Sequence, residues 1–167
     1  VARYLDVPLQ HADASLLHAM RRGGSAATHL KLVERLRRDV PGIALRTTFI
    51  VGFPGETADR FRALRDFVEA AAFDHVGVFT YSEEKGTPAA ALPDDIPGSL
   101  KEERRAEIMA LQESIAGRRN RGRIGRTVEV LVDGPHEDSD LVRVGRIESQ
   151  APEIDGRVIL ADLAGPI

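Results

Sequence analysis

The 167-residue chain contains no cysteine. That excludes disulfides and leaves no thiolate to hold a metal within this stretch. Its histidines, His11, His18, His29, His75 and His136, fall at no metal-binding spacing. No apolar run approaches the roughly 18 residues needed to cross a bilayer, and no basic-then-apolar start resembles a secretion signal. No membrane partner is expected, and the expected location is cytoplasmic. A dominant charge is missing too: the net balance is −3, which gives no general attraction to nucleic acid. The chain opens on Val1 rather than Met, and "RYLDVPL" reads as mid-strand. The expectation is a piece of a longer protein.

What is present suffices for a core, with 43% hydrophobic and 29% charged residues. The charge is unevenly placed. Residues 1–126 hold 20 of the 23 Lys and Arg against 17 acids, about +3, whereas residues 127–167 hold three Arg against nine acids, about −6. A domain boundary is expected near 117–126, where this balance changes sign.

Residues 3–9 alternate as a short strand, with Pro8 limiting its far end. Asp13 is a candidate cap for a helix carrying Leu16, Leu17 and Met20, and Thr28 for a second with Leu32, Val33 and Leu36 on one face. A strand follows over 44–51, then an amphipathic helix over 58–72, then a strand over 75–82. No hairpin turn separates these units, so they predict parallel βα repeats and an α/β fold. Residues 83–98 form a Pro- and Ala-rich traverse, and a charged helix with Leu100, Ile108, Leu111 and Ile115 inward is expected over 100–117. Beyond it "TVEVLVDG", "LVRVGRIE" and "RVILAD" have the spacing of a small β-barrel, one strand short of closure at "LAGPI".

The stretch "RTTFIVGFPGET", 46–57, carries the first site expectation. In parallel α/β folds ligands sit at the carboxyl ends of the strands. Gly52 and Gly55 permit close backbone approach, Pro54 stiffens the turn, and Thr57 caps the next helix. A tight βα turn without a ligand is the alternative. Alternation places Arg46, Thr48 and Ile50 on one face of the strand, Tyr4, Asp6 and Gln10 on the matching face of the first, and Gly77, Phe79 and Tyr81 on that of the third. Buried polar side chains on such a face need a polar partner or ligand. Mutual pairing of Asp6 with Arg46 is the competing account. His11 reads as a structural residue at a strand end. "RRNRGRIGR", 118–126, has five arginines. They are read as a solvated helix end or a protein-facing stretch, because cations suit that end of the dipole.

With "YLDVPLQHADASLLHAMRR", "TTFIVGFPGET", "VGVFTYSEEKGTPAA", "KEERRAEIMALQESI" and "APEIDG" in this order, the chain resembles the radical S-adenosylmethionine methylthiotransferases along essentially its whole length. "YLDVPLQH" and "APEIDG" resemble the branch that modifies an aspartate of small-subunit ribosomal protein twelve. The resemblance implies an α/β fold: the second half of a radical-SAM partial (βα) barrel at 1–99, a linker helix at 100–117, and a small all-β TRAM (OB-like) domain at 118–167 without its last strand. It implies S-adenosylmethionine and two 4Fe–4S clusters as cofactors, with the cluster ligands in a Cys-x-x-x-Cys-x-x-Cys loop that this chain does not contain. The chain by itself is therefore expected to be inactive, with neither catalytic residue nor metal ligand of its own. Gln10, Arg46, Thr48, Gly52, Gly55 and Tyr81 are the expected cofactor-binding residues, and Glu137, Asp138 and Asp140 the expected substrate-binding ones. In the family's Gly-x-Ile-x-Gly-x-x-Glu strand motif Thr48 takes the first position, Ile50 and Gly52 fit, and Glu56 falls one residue late. Glu56 is expected instead to act on the helix dipole. The implied partners are a ribosomal protein or the ribosome and a sulfur donor, with RNA disfavoured by the acidic tail. The competing functions are a tRNA adenosine methylthiotransferase, a non-catalytic acidic protein-binding module and a phosphate-binding α/β enzyme.

Overall fold

The structure, a computed structural model, describes residues 2–161, apart from the side chain of Asp140. Strands β1 (Tyr4–Asp6), β2 (Ala44–Val51) and β3 (His75–Thr80) form a parallel sheet in that order, with Asp6 opposite Arg46 and Arg46 opposite His75. Helices α1 (Ala14–Ala19) and α2 (Ala26–Asp39) connect β1 to β2, α3 (Ala58–Ala71) connects β2 to β3, and α4 (Gly98–Arg121) follows. The predicted parallel βα repeats are present. In β2 burial alternates: Leu45, Thr47, Phe49 and Val51 are buried, while Arg46, Thr48 and Ile50 on the other face are half-buried. The core lies on the helix side, where Phe49 meets Phe67 and Phe73 edge-on at 6.1 and 6.3 Å. Truncating Phe49 to alanine would cost about 3–5 kcal/mol on that packing.

Helix α2 starts earlier than Thr28 suggests. Ser25 is its cap: its hydroxyl accepts the Thr28 N–H at 3.3 Å, while the Thr28 hydroxyl accepts the Ser25 N–H at 2.7 Å. This reciprocal box places Thr28 in the first turn. The inward residues are then His29 and Val33, and Leu32 is 39% exposed. Helix α4 is longer than expected and its buried stripe is Lys101, Arg104, Ile108, Gln112 and Ile115. The helical spacing holds, but three of these five are polar. Each has a partner: Lys101 bonds Asp94, Arg104 bonds Glu56, and the Gln112 amide donates to the carbonyls of Phe73 and Asp74. Paired in this way, long polar side chains can occupy a core-facing stripe. The arginine run is not wholly solvated either. Arg119, with Arg37, donates to the last carbonyls of α3 and also binds Asp74, which satisfies acceptors that a helix end leaves free.

The second sheet is antiparallel, β4 (Leu131–His136), β5 (Ser139–Arg146) and β6 (Val158–Leu160), in that order. Residues 127–130 precede it and are not part of a strand. Gly145 is required here, because a Cβ would lie 2.7 Å from the Val130 side chain and against the Leu131 carbonyl. The "LAGPI" end, where the barrel is expected to stop one strand short of closure, lies outside the described residues. A loop between β5 and β6 returns to the first sheet. His75 donates from Nε2 to the Ser149 carbonyl at 2.6 Å, and the Arg3 N–H reaches Glu148 at 3.0 Å.

Candidate functional site

The carboxyl ends of β1–β3 surround a cavity of about 640 Å³. Gln10, Thr48 and Tyr81, three of the predicted residues, line it. Gln10 is held in the left-handed region, at φ +70°, by two backbone bonds to β2: its N–H to the Thr48 carbonyl at 2.9 Å and the Ile50 N–H to its own carbonyl at 2.8 Å. A non-glycine residue in that region costs of order 1–2 kcal/mol, and such outliers cluster at functional sites. Around these polar groups stand Ile50, Phe53 and Phe79, with Phe53 and Tyr81 edge-on at 5.1 Å. Phe79 is 62% exposed, so an aromatic surface faces the cavity rather than the core. Burial raises the Tyr81 phenol above its usual range, aided by the nearby Asp94 and Glu83 carboxylates. The remaining wall comes from Met20–Arg22 and from Glu84 and Thr87–Ala89. Sequence reasoning missed these two segments, since neither carries a period.

The structure does not bring Arg46, Gly52 or Gly55 into this cavity. Gly52 has φ +71°, and a Cβ there would overlap the stem of Lys101, with Cδ 2.8 Å away. The close backbone approach predicted at this glycine is real, but its object is a lysine of α4. Its N–H is already used by the Glu56 carboxylate. Gly55, at φ +84°, gives its carbonyl to Arg60 at 2.6 Å. Glu56 is fully buried rather than poised at the helix dipole. Besides the Gly52 N–H it accepts from Arg104 at 2.9 Å and from His11 Nε2 at 3.2 Å. His11 Nδ1 accepts the Asp13 N–H at 2.9 Å, which leaves the proton on Nε2. His11 is thus structural, as expected.

Arg46 belongs to the opposite end of the sheet. It pairs with Asp6 at 2.6 Å, the competing account of these two residues, and its Nε lies 3.7 Å from Asp155. Asp155, of "APEIDG", has a side chain 2% exposed. It accepts the Tyr4 hydroxyl at 2.8 Å and the Ala151 N–H at 2.8 Å, with His75 Nδ1 at 3.3 Å. Burial and this carboxylate acceptor hold the Tyr4 phenol well above its usual range.

Glu137 and Asp138 form the two-residue turn between β4 and β5, with side chains 77% and 91% exposed. Glu137 meets Arg157 at 3.1 Å. Asp140 stands in β5, and its side chain lies outside the described residues. Among the described residues no group of three or more His, Cys, Asp or Glu could hold a metal ion, and no helix is long and apolar enough to cross a membrane.

Residues 124–165 match the TRAM domain family. Along nearly its whole length the chain is similar to proteins named ribosomal protein uS12 methylthiotransferase RimO. It is 50% identical over 165 residues to that of Solibacter usitatus, covering 99% of this chain and 36% of the relative. Identity is 47% with that of Trichlorobacter lovleyi, over 96% and 36% of the two chains. It is 46% with that of Koribacter versatilis, over 98% and 32%. The chain thus spans about a third of the length of these relatives. Among solved structures, Escherichia coli coproporphyrinogen III oxidase (HemN), described as a radical SAM enzyme, superposes with a TM-score of 0.52 at 20% identity. That likeness covers 72% of this chain and 27% of the other, and it supports the fold: part of a radical-SAM barrel followed by a TRAM domain.

Proposed function

We propose that this chain, which belongs to the uS12 methylthiotransferase family over the third of that family's length it spans, supplies part of an S-adenosylmethionine-binding barrel and a protein-recognising tail. The parent enzyme then places a methylthio group on an aspartate of the ribosomal protein. The observation that carries this reading is the cavity at the strand ends, with the strained Gln10 aimed into it.

The donor set suits the cofactor. A flat apolar purine fits against Ile50, Phe53 and Phe79, while the Gln10 amide and the hydroxyls of Thr48, Tyr81 and Ser82 suit ribose and amino-acid groups. When bound, S-adenosylmethionine supplies the methyl group and the radical initiation. The chain's own part is to bind and orient: Gln10 and Thr48 fix the polar portion, and Phe53 with Tyr81 keep water from it. An iron–sulfur cluster does not fit these residues, since thiolates hold such clusters and the chain has none. Under this reading the cluster ligands belong to other parts of the enzyme.

The exposed acidic turn at Glu137 and Asp138 favours a basic protein over RNA, because phosphate contacts need Lys and Arg. Arg118, Arg121 and Arg126, none of them buried, support tRNA as the second reading. In the full-length enzyme, Gln10→Ala and Thr48→Val should each weaken S-adenosylmethionine about tenfold, the worth of one hydrogen bond of roughly 1.4 kcal/mol. Unchanged affinity in both variants would remove the cavity from consideration. Tight tRNA binding by the enzyme at physiological salt would favour the second reading.

A further inference from the structure

Lys101 is buried in α4, 8% exposed, and the function proposed above leaves it without a role. Its ammonium bonds Asp94 at 2.5 Å, lies 3.4 Å from the Tyr81 carbonyl and stands 5.1 Å from the centre of the Tyr81 ring. Its stem fills the space left by the missing side chain of Gly52. One side chain therefore touches the turn after β2, the end of β3 and the traverse 83–97. That traverse contributes Glu84 and Thr87–Ala89 to the cavity wall, yet none of its residues is buried. Among the described residues, the Asp94–Lys101 pair is the one side-chain hydrogen bond that ties it to the rest of the chain. An exposed segment with so few anchors opens easily unless those anchors hold.

We propose that Lys101 is a positioning residue that clasps residues 83–97 across the cavity as a strap and, by the same contacts, fixes Tyr81 against Phe53. The clasp lies partly out of water: side-chain exposure is 10% for Lys101 and 26% for Asp94. Low exposure strengthens the pair and makes loss of either partner costly. Lys101 acts on the ligand only through Tyr81 and the strap. In its effect on S-adenosylmethionine this inference rests on the proposed function, but the clasp itself does not.

The test uses the full-length enzyme with Asp94→Asn and Lys101→Met, the latter keeping most of the stem. Exposed Lys85 lies within the strap, so trypsin cleavage there, followed by peptide mass, reports strap opening directly. Each variant should speed that cleavage roughly tenfold, as expected for loss of a charged hydrogen bond. The KM for S-adenosylmethionine should rise by a similar factor with little change in kcat, and the double variant should be no worse than either single one. Wild-type cleavage rates at Lys85 in both variants would overturn the clasp. If Lys101→Met fails to fold, Asp94→Asn decides alone. Faster cleavage in an enzyme that shows no dependence on S-adenosylmethionine would leave the clasp standing and refute the proposed function instead.

Discussion

Replacing Glu56 with glutamine tests how the "GFPGET" turn is held. The carboxylate is fully buried and serves three donors: the Gly52 N–H, Arg104 at 2.9 Å and His11 at 3.2 Å. Glutamine keeps the shape but removes the charge facing Arg104, and it turns an NH₂ toward groups that themselves donate. Removing one partner of a buried ion pair costs about 3–5 kcal/mol. Arg104→Met should cost a similar amount by stranding the carboxylate. With both changes together, the introduced amide can still accept from His11 or Gly52 and no charge is left unpaired. The double variant should therefore lose about 2–3 kcal/mol less than the sum of the singles. Amide exchange of residues 49–56 in the full-length protein is the assay, since it reads local opening. Each single change should speed exchange there by about a hundredfold to a few thousandfold, at tenfold per 1.4 kcal/mol. Additivity within about 0.5 kcal/mol would show that Glu56 and Arg104 act independently, and the account of the turn would fail.

Gly52→Ala should destabilise the same segment by about 2–4 kcal/mol, combining a left-handed residue with crowding of Lys101. Lys101→Ala should relieve the crowding part, and no relief in amide exchange would mean that the stem is not what the glycine accommodates. Reversal of Glu137 and Asp138 to lysine should slow association with the ribosomal protein at low salt and lose its effect as salt rises. Stopped-flow rates that ignore the reversal would argue against a protein-facing tail. Burial lowers the His29 pKa, so the folded protein keeps this imidazole neutral while the unfolded chain takes up a proton below about pH 6.5. Stability is then lost as pH falls through that value and levels off below the folded pKa. His29→Gln should flatten the stability–pH slope as pH falls below about 7, and parallel slopes in urea titrations would exclude the residue.

Strand β2 was legible because a two-residue alternation over Ala44–Val51 separates a buried, helix-facing side from a half-buried one that carries Thr48 and Ile50 at the cavity. That same pattern named Thr48, and with Gln10 and Tyr81 it located the cavity. Arg46 shared the face but not the end: its distance along the strand puts it beside Asp6 and Asp155, and alternation says nothing about which end a ligand occupies. Gly52 was correctly read as a site of close approach and wrongly matched to its neighbour, because the neighbour lies 49 residues away on α4. The polar half of the α4 stripe was invisible to an apolar period. Lys101, Arg104 and Gln112 become core-facing only through Asp94, Glu56 and the carbonyls of Phe73 and Asp74, which only tertiary structure places opposite them. Ser25 could have been found, since Ser25 and Thr28 are spaced as a capping pair.

The Tyr4–Asp155 bond joins residues 151 positions apart. At synthesis rates of about 5–20 residues per second, the hydroxyl waits on the order of 8–30 s for its acceptor to be made. Through that interval the amino ends of β1, β2 and β3 lack the carboxylate that later sits among Tyr4, Arg46 and His75. The sheet is thus translated well before its floor is finished, and nascent chains shorter than about 155 residues of this stretch should expose that end to chaperones. High contact order of this kind slows folding, and here the delay falls at the end of the sheet away from the cavity.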